Sequence, residues 1–307
     1  MCGSGGRNGR HTDRKVCGSG GSSACKGLME SWGTVFKHTV KALREAGLAE
    51  AEAESRVLMA QVYGGDFSAL CLRFLDVCDK QELAEKFVRE RISGKPLAYV
   101  LGEKYFYGRR FAVDERVLIP RYDTECVVQR ALKLAGSAKT ALDLCCGSGI
   151  MGVTLGAEMK LDSICFADNS EGALNVAKEN AEALIPRQKT KFVNSDFLRD
   201  IHETFDIIVC NPPYISERDY AELEPQVREY EPKTALTAGN NGYAFYERAA
   251  KEAPHFLNAG GGIVLEIGDT QKEGVCVLLK QGGFDNIECG LDLSGSPRWV
   301  SGIKGNN

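Results

Sequence analysis

Along the chain the spacing of apolar residues changes twice. Trp32, Val35, Phe36, Val40 and Leu43 recur at three- and four-residue steps and stop near Gly47, which predicts an amphipathic helix. A second helix is expected over about Glu50–Tyr63, carrying Val57, Leu58, Ala60 and Val62, and a third over about Lys80–Ile92. Together they read as a small helical bundle. Residues 94–119 lose that spacing: Tyr99, Tyr105, Phe106, Tyr107, Phe111 and Val113 sit among Gly102, Gly108 and Arg109-Arg110, which suits a hairpin joining two domains. After Lys139 short apolar runs alternate with longer amphipathic ones. Strands are expected at Thr140–Leu144, Ser163–Ala167, Lys191–Asn194, Phe205–Cys210 and Gly262–Ile267, and helices at Ile150–Lys160, Ser170–Leu184, Tyr243–Glu252 and Thr270–Gln281. That alternation predicts a parallel sheet with helices on both faces. Asn286–Leu291 and Arg298–Ile303, joined by a Ser/Gly/Pro loop, suit an antiparallel edge and bring the strands to seven. The expected class is therefore α/β, a doubly wound, mostly parallel seven-stranded sheet preceded by a small helical domain. The boundaries are a leader at 1–28, a helical domain at 29–95, a hairpin linker at 96–119 and the sheet domain at 120–307.

Composition narrows the classes. With 43% hydrophobic and 26% charged residues the chain is globular rather than wholly disordered, collagen-like or coiled coil. No stretch approaches the ~20 apolar residues of a membrane helix, so no span is expected. Residues 1–28 hold eight of the 34 glycines and almost no large apolar residue, and read as a flexible leader, with Met29 as an alternative start. The leader carries five basic residues and one acidic residue. The remainder has 33 basic and 41 acidic residues, a net charge of −8, which offers nucleic acid no general attraction. Twelve cysteines occur without a secretory signal and without a CxxC pair. They are expected to be structural thiols in a reducing cytoplasm rather than zinc ligands or disulfides.

Candidate chemistry begins after the first strand of the sheet domain. Gly147, Gly149 and Gly152 satisfy G-x-G-x-x-G between a strand and a helix, and Asp168 ends the next strand. Both features suit a dinucleotide, whose ribose the acid would hold, so a dehydrogenase enters the reading. Asp143, just ahead of the glycine turn, weighs the other way. A carboxylate there would repel a pyrophosphate, whereas S-adenosylmethionine carries an ammonium and a sulfonium. The plainer roles are a turn cap for Asp143 and the N-cap of the following helix for Asp168. Past the third strand, Asp196 can accept a hydrogen bond from an adenine amino group and Phe197 can stack on the ring.

Asn211-Pro212-Pro213-Tyr214 follows the fourth parallel strand, beside the switch point where ligands bind. A conjugated amide or amino nitrogen is a poor nucleophile. Acceptors for both its N–H groups raise its electron density, and the Asn211 side-chain oxygen and the Pro212 carbonyl can supply them. The prolines stiffen the turn and remove competing donors. Tyr214 can stack on a planar acceptor.

With these residues the chain resembles the class I S-adenosylmethionine-dependent methyltransferases, whose fold is Rossmann-like. Within them it is similar to the HemK/PrmC release-factor glutamine methyltransferases, from about Trp32 to Gly302. The resemblance rests on Lys95–Gly102, the Leu118–Glu125 run with Pro120-Arg121-Tyr122-Asp123-Thr124-Glu125, the glycine loop, Asn211–Ile215, Glu231-Pro232 before Ala235-Leu236, and Leu265-Glu266-Ile267-Gly268. It implies methyl transfer from S-adenosylmethionine to the glutamine of the Gly-Gly-Gln loop of class-one peptide release factors, with the N-terminal helices holding that protein. It implies that Cys145, Cys146, Gly147, Ser148, Gly149, Asp168, Phe197 and Asn211 contact the cofactor, that Asn211–Tyr214 hold the glutamine, and that Phe106 and Arg121 wall the site. Three residues depart from the family's pattern: Cys145 stands at the loop's first glycine, Cys146 where Thr is common, and Tyr122 where Pro is usual. A cysteine at 145 is tolerated if its φ is negative. His202 and His255 fall outside the motifs and are expected at the surface. No metal is called for. The expected enzyme is a cytoplasmic monomer without membrane attachment or stable nucleic acid. A ribosomal-protein glutamine methyltransferase, disfavoured by the Pro-Arg-x-Asp-Thr-Glu run, a nucleic-acid adenine methyltransferase and a catalytically dead binding module are the rival readings.

Overall fold

Ser31 opens the first helix. Its backbone is extended and its Oγ accepts the Thr34 N–H at 3.2 Å, capping α1 (Trp32–Glu45). The computed structural model describes residues 29–305; the leader at 1–28 lies outside them. Helices α2 (Ala51–Tyr63), α3 (Phe67–Cys71) and α4 (Gln81–Ile92) complete the bundle. They pack around Trp32, Val35, Met59, Val62 and Leu70. Gly64 ends α2 in the left-handed region, at φ 86°.

The segment expected as a hairpin linker begins with a helix instead, α5 (Leu97–Leu101). Its Val100 packs on Leu43 and Leu58 of the bundle. Tyr99 packs on Val113, Val117 and Ala173 and donates its O–H to the Val117 carbonyl at 2.5 Å. One short helix thus serves both halves of the molecule. The hairpin follows as β1 (Glu103–Phe106) and β2 (Arg109–Ala112). Tyr107 and Gly108 between them both have positive φ, 48° and 73°, the two-residue turn that matches strand twist.

Helix α6 (Thr124–Ala135) stands outside the elements expected from periodicity. Its buried stripe of Val127, Val128, Ala131 and Ala135 has helical spacing, although the Val-Val pair equally suits a strand. The sheet is β3 (Thr140–Leu144), β4 (Ser163–Asp168), β5 (Thr190–Asn194), β6 (Phe205–Cys210), β7 (Leu257–Glu266), β8 (Phe284–Leu291) and β9 (Pro297–Lys304), in the order β5-β4-β3-β6-β7-β9-β8. The first five pair in parallel, and β9 runs antiparallel to both β7 and β8. The final pair is antiparallel as expected, but the later strand enters the sheet and leaves the earlier one at the edge. Leu142, Ile207, Ile208 and Val209 are fully buried because helices cover both faces. Helices α6, α7 (Ile150–Glu158) and α8 (Glu171–Leu184) lie on one side. Between β6 and β7 come the short α9 (Glu217–Tyr220), α10 (Pro225–Tyr230) and α11 (Lys233–Leu236), followed by α12 (Ala244–Glu252). Helix α12 and α13 (Lys272–Gln281) cover the other face. Strand order reverses at β3, between β4 and β6.

Candidate cofactor and acceptor site

At that reversal a cleft of about 970 Å³, partly open to solvent, lies at the carboxyl ends of the strands. Its floor is the glycine loop. Cys145, Gly147 and Gly149 all have positive φ, 57°, 52° and 77°. The negative φ that a cysteine would favour is therefore not adopted: the turn needs a left-handed residue there, and Cys145 bears a strain of roughly 1 kcal/mol that glycine would avoid. The Cys146 N–H donates to the Ala167 carbonyl at 3.1 Å and the Gly149 N–H to the Cys146 carbonyl at 2.7 Å. Gly152 serves packing, since a Cβ there would lie 2.5 Å from the Phe166 ring. Cys145, Cys146, Gly147 and Ser148 line the cleft.

Asp143 does not. It is fully buried beneath the loop, where one carboxyl oxygen accepts the Gly152 N–H at 2.7 Å and the other has no partner. Burial pushes its carboxyl well above the usual range. The repulsion of a pyrophosphate argued from sequence therefore fails, because the group is shielded from the cleft and favours its neutral form.

Asp168 does line the cleft. Its Oδ2 accepts the Gly147 N–H at 3.0 Å and its Oδ1 the Ser170 N–H at 2.9 Å. Burial raises its pKa, while those two donors oppose the rise. The cap of α8 is not Asp168 but Ser170, whose Oγ accepts the Ala173 N–H at 3.1 Å. Phe197 is buried at φ 60° in the cleft wall, with the Arg248 guanidinium 4.8 Å from its ring centroid. Asp196 is turned elsewhere. Arg248 holds its carboxylate at 2.7 Å and Arg199 at 2.8 Å, and the Arg248 hydrogen bond lowers its pKa. Two guanidinium partners thus take the carboxylate away from the adenine role expected of it.

Of the acceptor motif, Asn211 and Pro213 line the cleft, whereas Pro212 and Tyr214 do not. The Tyr214 ring packs into the core beside α12 and α13 rather than over the cleft, so it offers no stacking face there. Its O–H donates to Glu266 Oε1 at 3.4 Å and its carbonyl accepts from Gln271 Nε2 at 3.1 Å. Arg121 lines the cleft and donates to Glu231 Oε1 at 2.5 Å, while Glu231 Oε2 accepts the Ile119 N–H at 3.0 Å. This buried carboxylate clips the 118–121 segment to the 231–236 segment. Phe106, expected in the wall, is buried with Phe111, Val127 and Val128 in the core instead. Val127 and Val128 of that cluster belong to α6.

Tyr122 is exposed, with the Lys104 ammonium 4.4 Å from its ring centroid. His202 and His255 are exposed. Sequence reasoning missed Asn180, which is buried on α8. Its Oδ1 accepts the Ala112 N–H at 2.7 Å and its Nδ2 donates to the Ser148 carbonyl at 2.9 Å, tying β2 to the glycine loop. Glu231 and Glu266 sit in runs that carry the family resemblance, and that was the one signal available for them. Nothing in the sequence marks Asn180, Gln271 or Arg248. Among the described residues no helix is long and apolar enough to cross a membrane.

The Methyltransferase small domain family matches residues 124–226, and the PrmC N-terminal domain family matches 34–102, which takes in α5. The chain is 37% identical over 262 residues to the release factor glutamine methyltransferase of Geobacter sulfurreducens, covering 85% of this chain and 92% of that protein. It is 37% identical over 268 residues to the enzyme of the same name from Cereibacter sphaeroides, covering 87% and 96%. Among solved structures, a methyltransferase from Pyrococcus furiosus aligns with TM-score 0.50 and 18% identity, over 65% of this chain and 90% of that one. The human Mettl16 catalytic domain, in complex with the MAT2A 3'UTR hairpin 6, aligns with TM-score 0.51 and 17% identity, over 74% and 82%. At such identities the two structures speak for the fold alone.

Proposed function

This chain belongs to the family of release factor glutamine methyltransferases, and on that premise we propose that it methylates the side-chain amide of the glutamine in the Gly-Gly-Gln loop of class-one peptide release factors, in the cytoplasm, with S-adenosylmethionine as donor. When bound, that cofactor supplies a methyl group already activated on a sulfonium. Three features fit it. The cleft lies at the strand-order reversal, at the carboxyl ends of β3, β4 and β6. Asp168 faces the cleft with carboxyl oxygens able to accept from ribose hydroxyls. Phe197 offers a ring in the same wall.

The observation that carries the reading is that Asn211 and Pro213 share one cleft with the glycine loop and Asp168. An acceptor nitrogen at Asn211 therefore lies in the compartment that holds the donor. The Asn211 side-chain oxygen accepts an N–H of the substrate amide, holding the nitrogen oriented and electron-rich. Neither proline contributes an N–H that would compete. The surplus proton leaves to water.

Incubating the full chain with labelled S-adenosylmethionine and purified release factors, ribosomal proteins or DNA tests the reading. Label is expected on release factor alone, and is lost when the glutamine of its Gly-Gly-Gln loop is replaced. Label on a ribosomal protein or on DNA, with release factor unlabelled, overturns it.

A further inference from the structure

Tyr214 is held at both ends by buried side chains that no part of the function above uses. At one end, Glu266 is buried. Its Oε2 accepts the Thr124 O–H at 2.6 Å and its Oε1 the Tyr214 O–H at 3.4 Å. At the other, Gln271 is buried and its amide is fully committed. Its Oε1 accepts the Gly268 N–H at 2.9 Å, with the Tyr246 hydroxyl 3.2 Å away and sharing its one proton with the Glu266 carbonyl at 3.0 Å, and its Nε2 donates to the Tyr214 carbonyl at 3.1 Å and the Gly242 carbonyl at 3.4 Å. The Gly268 N–H can only donate, so the oxygen must face it and the nitrogen must face Tyr214. Gly242 lets the two segments close up, since a Cβ there would lie 2.2 Å from the Tyr214 carbonyl oxygen.

Between Asn211 and Tyr214 stand two prolines whose φ is fixed by their rings. The turn is thus a stiff arm, and its far end determines where its near end points. We propose that Tyr214 is the tie of this arm rather than a stacking platform, and that Glu266 and Gln271 are positioning residues which, through it, aim Asn211 at the acceptor amide. This rests on the function proposed above.

The tie carries its own pH signature. Burial lifts the Glu266 carboxyl to about 7, against the lowering effect of the Thr124 hydrogen bond. Facing it are Asp123, Thr124 and Cys126 of the α6 segment, Arg298 of β9, Tyr214, and Tyr246 of α12, whose O–H donates to the Glu266 carbonyl at 3.0 Å. Arg298 favours the carboxylate and Asp123 opposes it. Ionised, Glu266 accepts from Thr124 and Tyr214 together. Protonated, it gives up part of that capacity and holds the phenol less firmly.

The test compares wild type, Tyr214→Phe and Gln271→Met in kcat and KM for release-factor methylation from about pH 5.5 to 8.5, alongside S-adenosylmethionine affinity by calorimetry. Wild-type kcat should rise through about pH 7. Tyr214→Phe should lose ~10-fold in kcat and flatten that rise, with cofactor affinity and KM little changed. Gln271→Met should lose a similar factor but keep the rise, because the phenol end remains tied. A Tyr214→Phe enzyme with wild-type kcat and an intact pH rise overturns the proposal. So does one whose only change is a higher KM, which would make Tyr214 a substrate contact. Amide hydrogen exchange of residues 211–216 in the substrate-free protein separates the tie from the choice of substrate. Faster exchange in both variants supports the tie, and unchanged exchange refutes it. A wild-type enzyme that leaves release factor unlabelled refutes the function instead.

Discussion

The loop after β3 and the loop after β6 meet in one cleft, yet they are fixed by different means. The glycine loop is set by main-chain geometry: three left-handed residues, the Cys146–Ala167 backbone hydrogen bond and the start of α7. The Asn211–Tyr214 turn makes no comparable use of its own backbone. It is stiffened by two prolines and fastened by Glu266 and Gln271, which come from the end of β7 and the entry to α13. The half proposed to hold the cofactor is thus shaped mainly by its own left-handed backbone, propped by Asp168 and Asn180, whereas the half proposed to present the acceptor is fastened by side chains from later elements. Damage should separate along the same line.

The largest expected separation is at Asn211. Asn211→Ala should lower kcat by ~10²–10³ while S-adenosylmethionine affinity barely moves, the pattern of a hydrogen bond realised mainly in the transition state. Steady-state kinetics with calorimetry checks it, and an equal loss in both would break the division between the loops.

Next comes Glu266→Gln, which probes the fastening of the acceptor side. The folded value of about 7 lies above the ordinary 4.5. Well below pH 4.5 the group is protonated in both states and makes no difference to stability. Between 4.5 and about 7 the unfolded chain loses its proton first, so stability falls as pH rises and levels off above about 7. The variant should match wild type in acid and exceed it at pH ~8 by on the order of 2–3 kcal/mol in denaturant unfolding.

On the cofactor side, Asp168→Ala should weaken S-adenosylmethionine binding by roughly 1–3 kcal/mol and leave methylation at saturating cofactor nearly intact. Calorimetry together with kcat at saturation tests this. The smallest effect is expected at Cys145. Cys145→Gly should stabilise the fold by about 1 kcal/mol, because the left-handed turn then carries no Cβ. Urea unfolding reads it, and a loss of stability would show that the thiol's packing against the β6 side outweighs the strain.

What could be read in advance follows the same division. The central parallel strands β4 and β6 are largely apolar runs, and the candidate loops begin where β3 and β6 end. The glycine loop, Asp168 and Asn211 are local patterns, and each lies in the cleft. The residues that went elsewhere did so because of partners far along the chain. Asp196 is taken by Arg248, Phe106 by α6, and Tyr214 by Glu266. Asp143 looks available in sequence but is sealed under α7. Helix α5 was obscured by its brevity and by Tyr and Val, which also suit strands. The sign of φ at Cys145 could not be read from the residue type, because the turn imposes it.

The order of strands bears on how the molecule is made. Strand β8 bonds only to β9, and β9, the later of the two, slots between it and β7. Strand β8 therefore cannot join the sheet until β9 has paired with β7. Meanwhile Gly262–Glu266 of β7 stands as an uncovered edge, waiting for Trp299–Ile303. An uncovered edge of this kind is a template for strands of other chains, and β9 is what covers it. Arg298 arrives with that strand and reaches Asp123 at 3.6 Å.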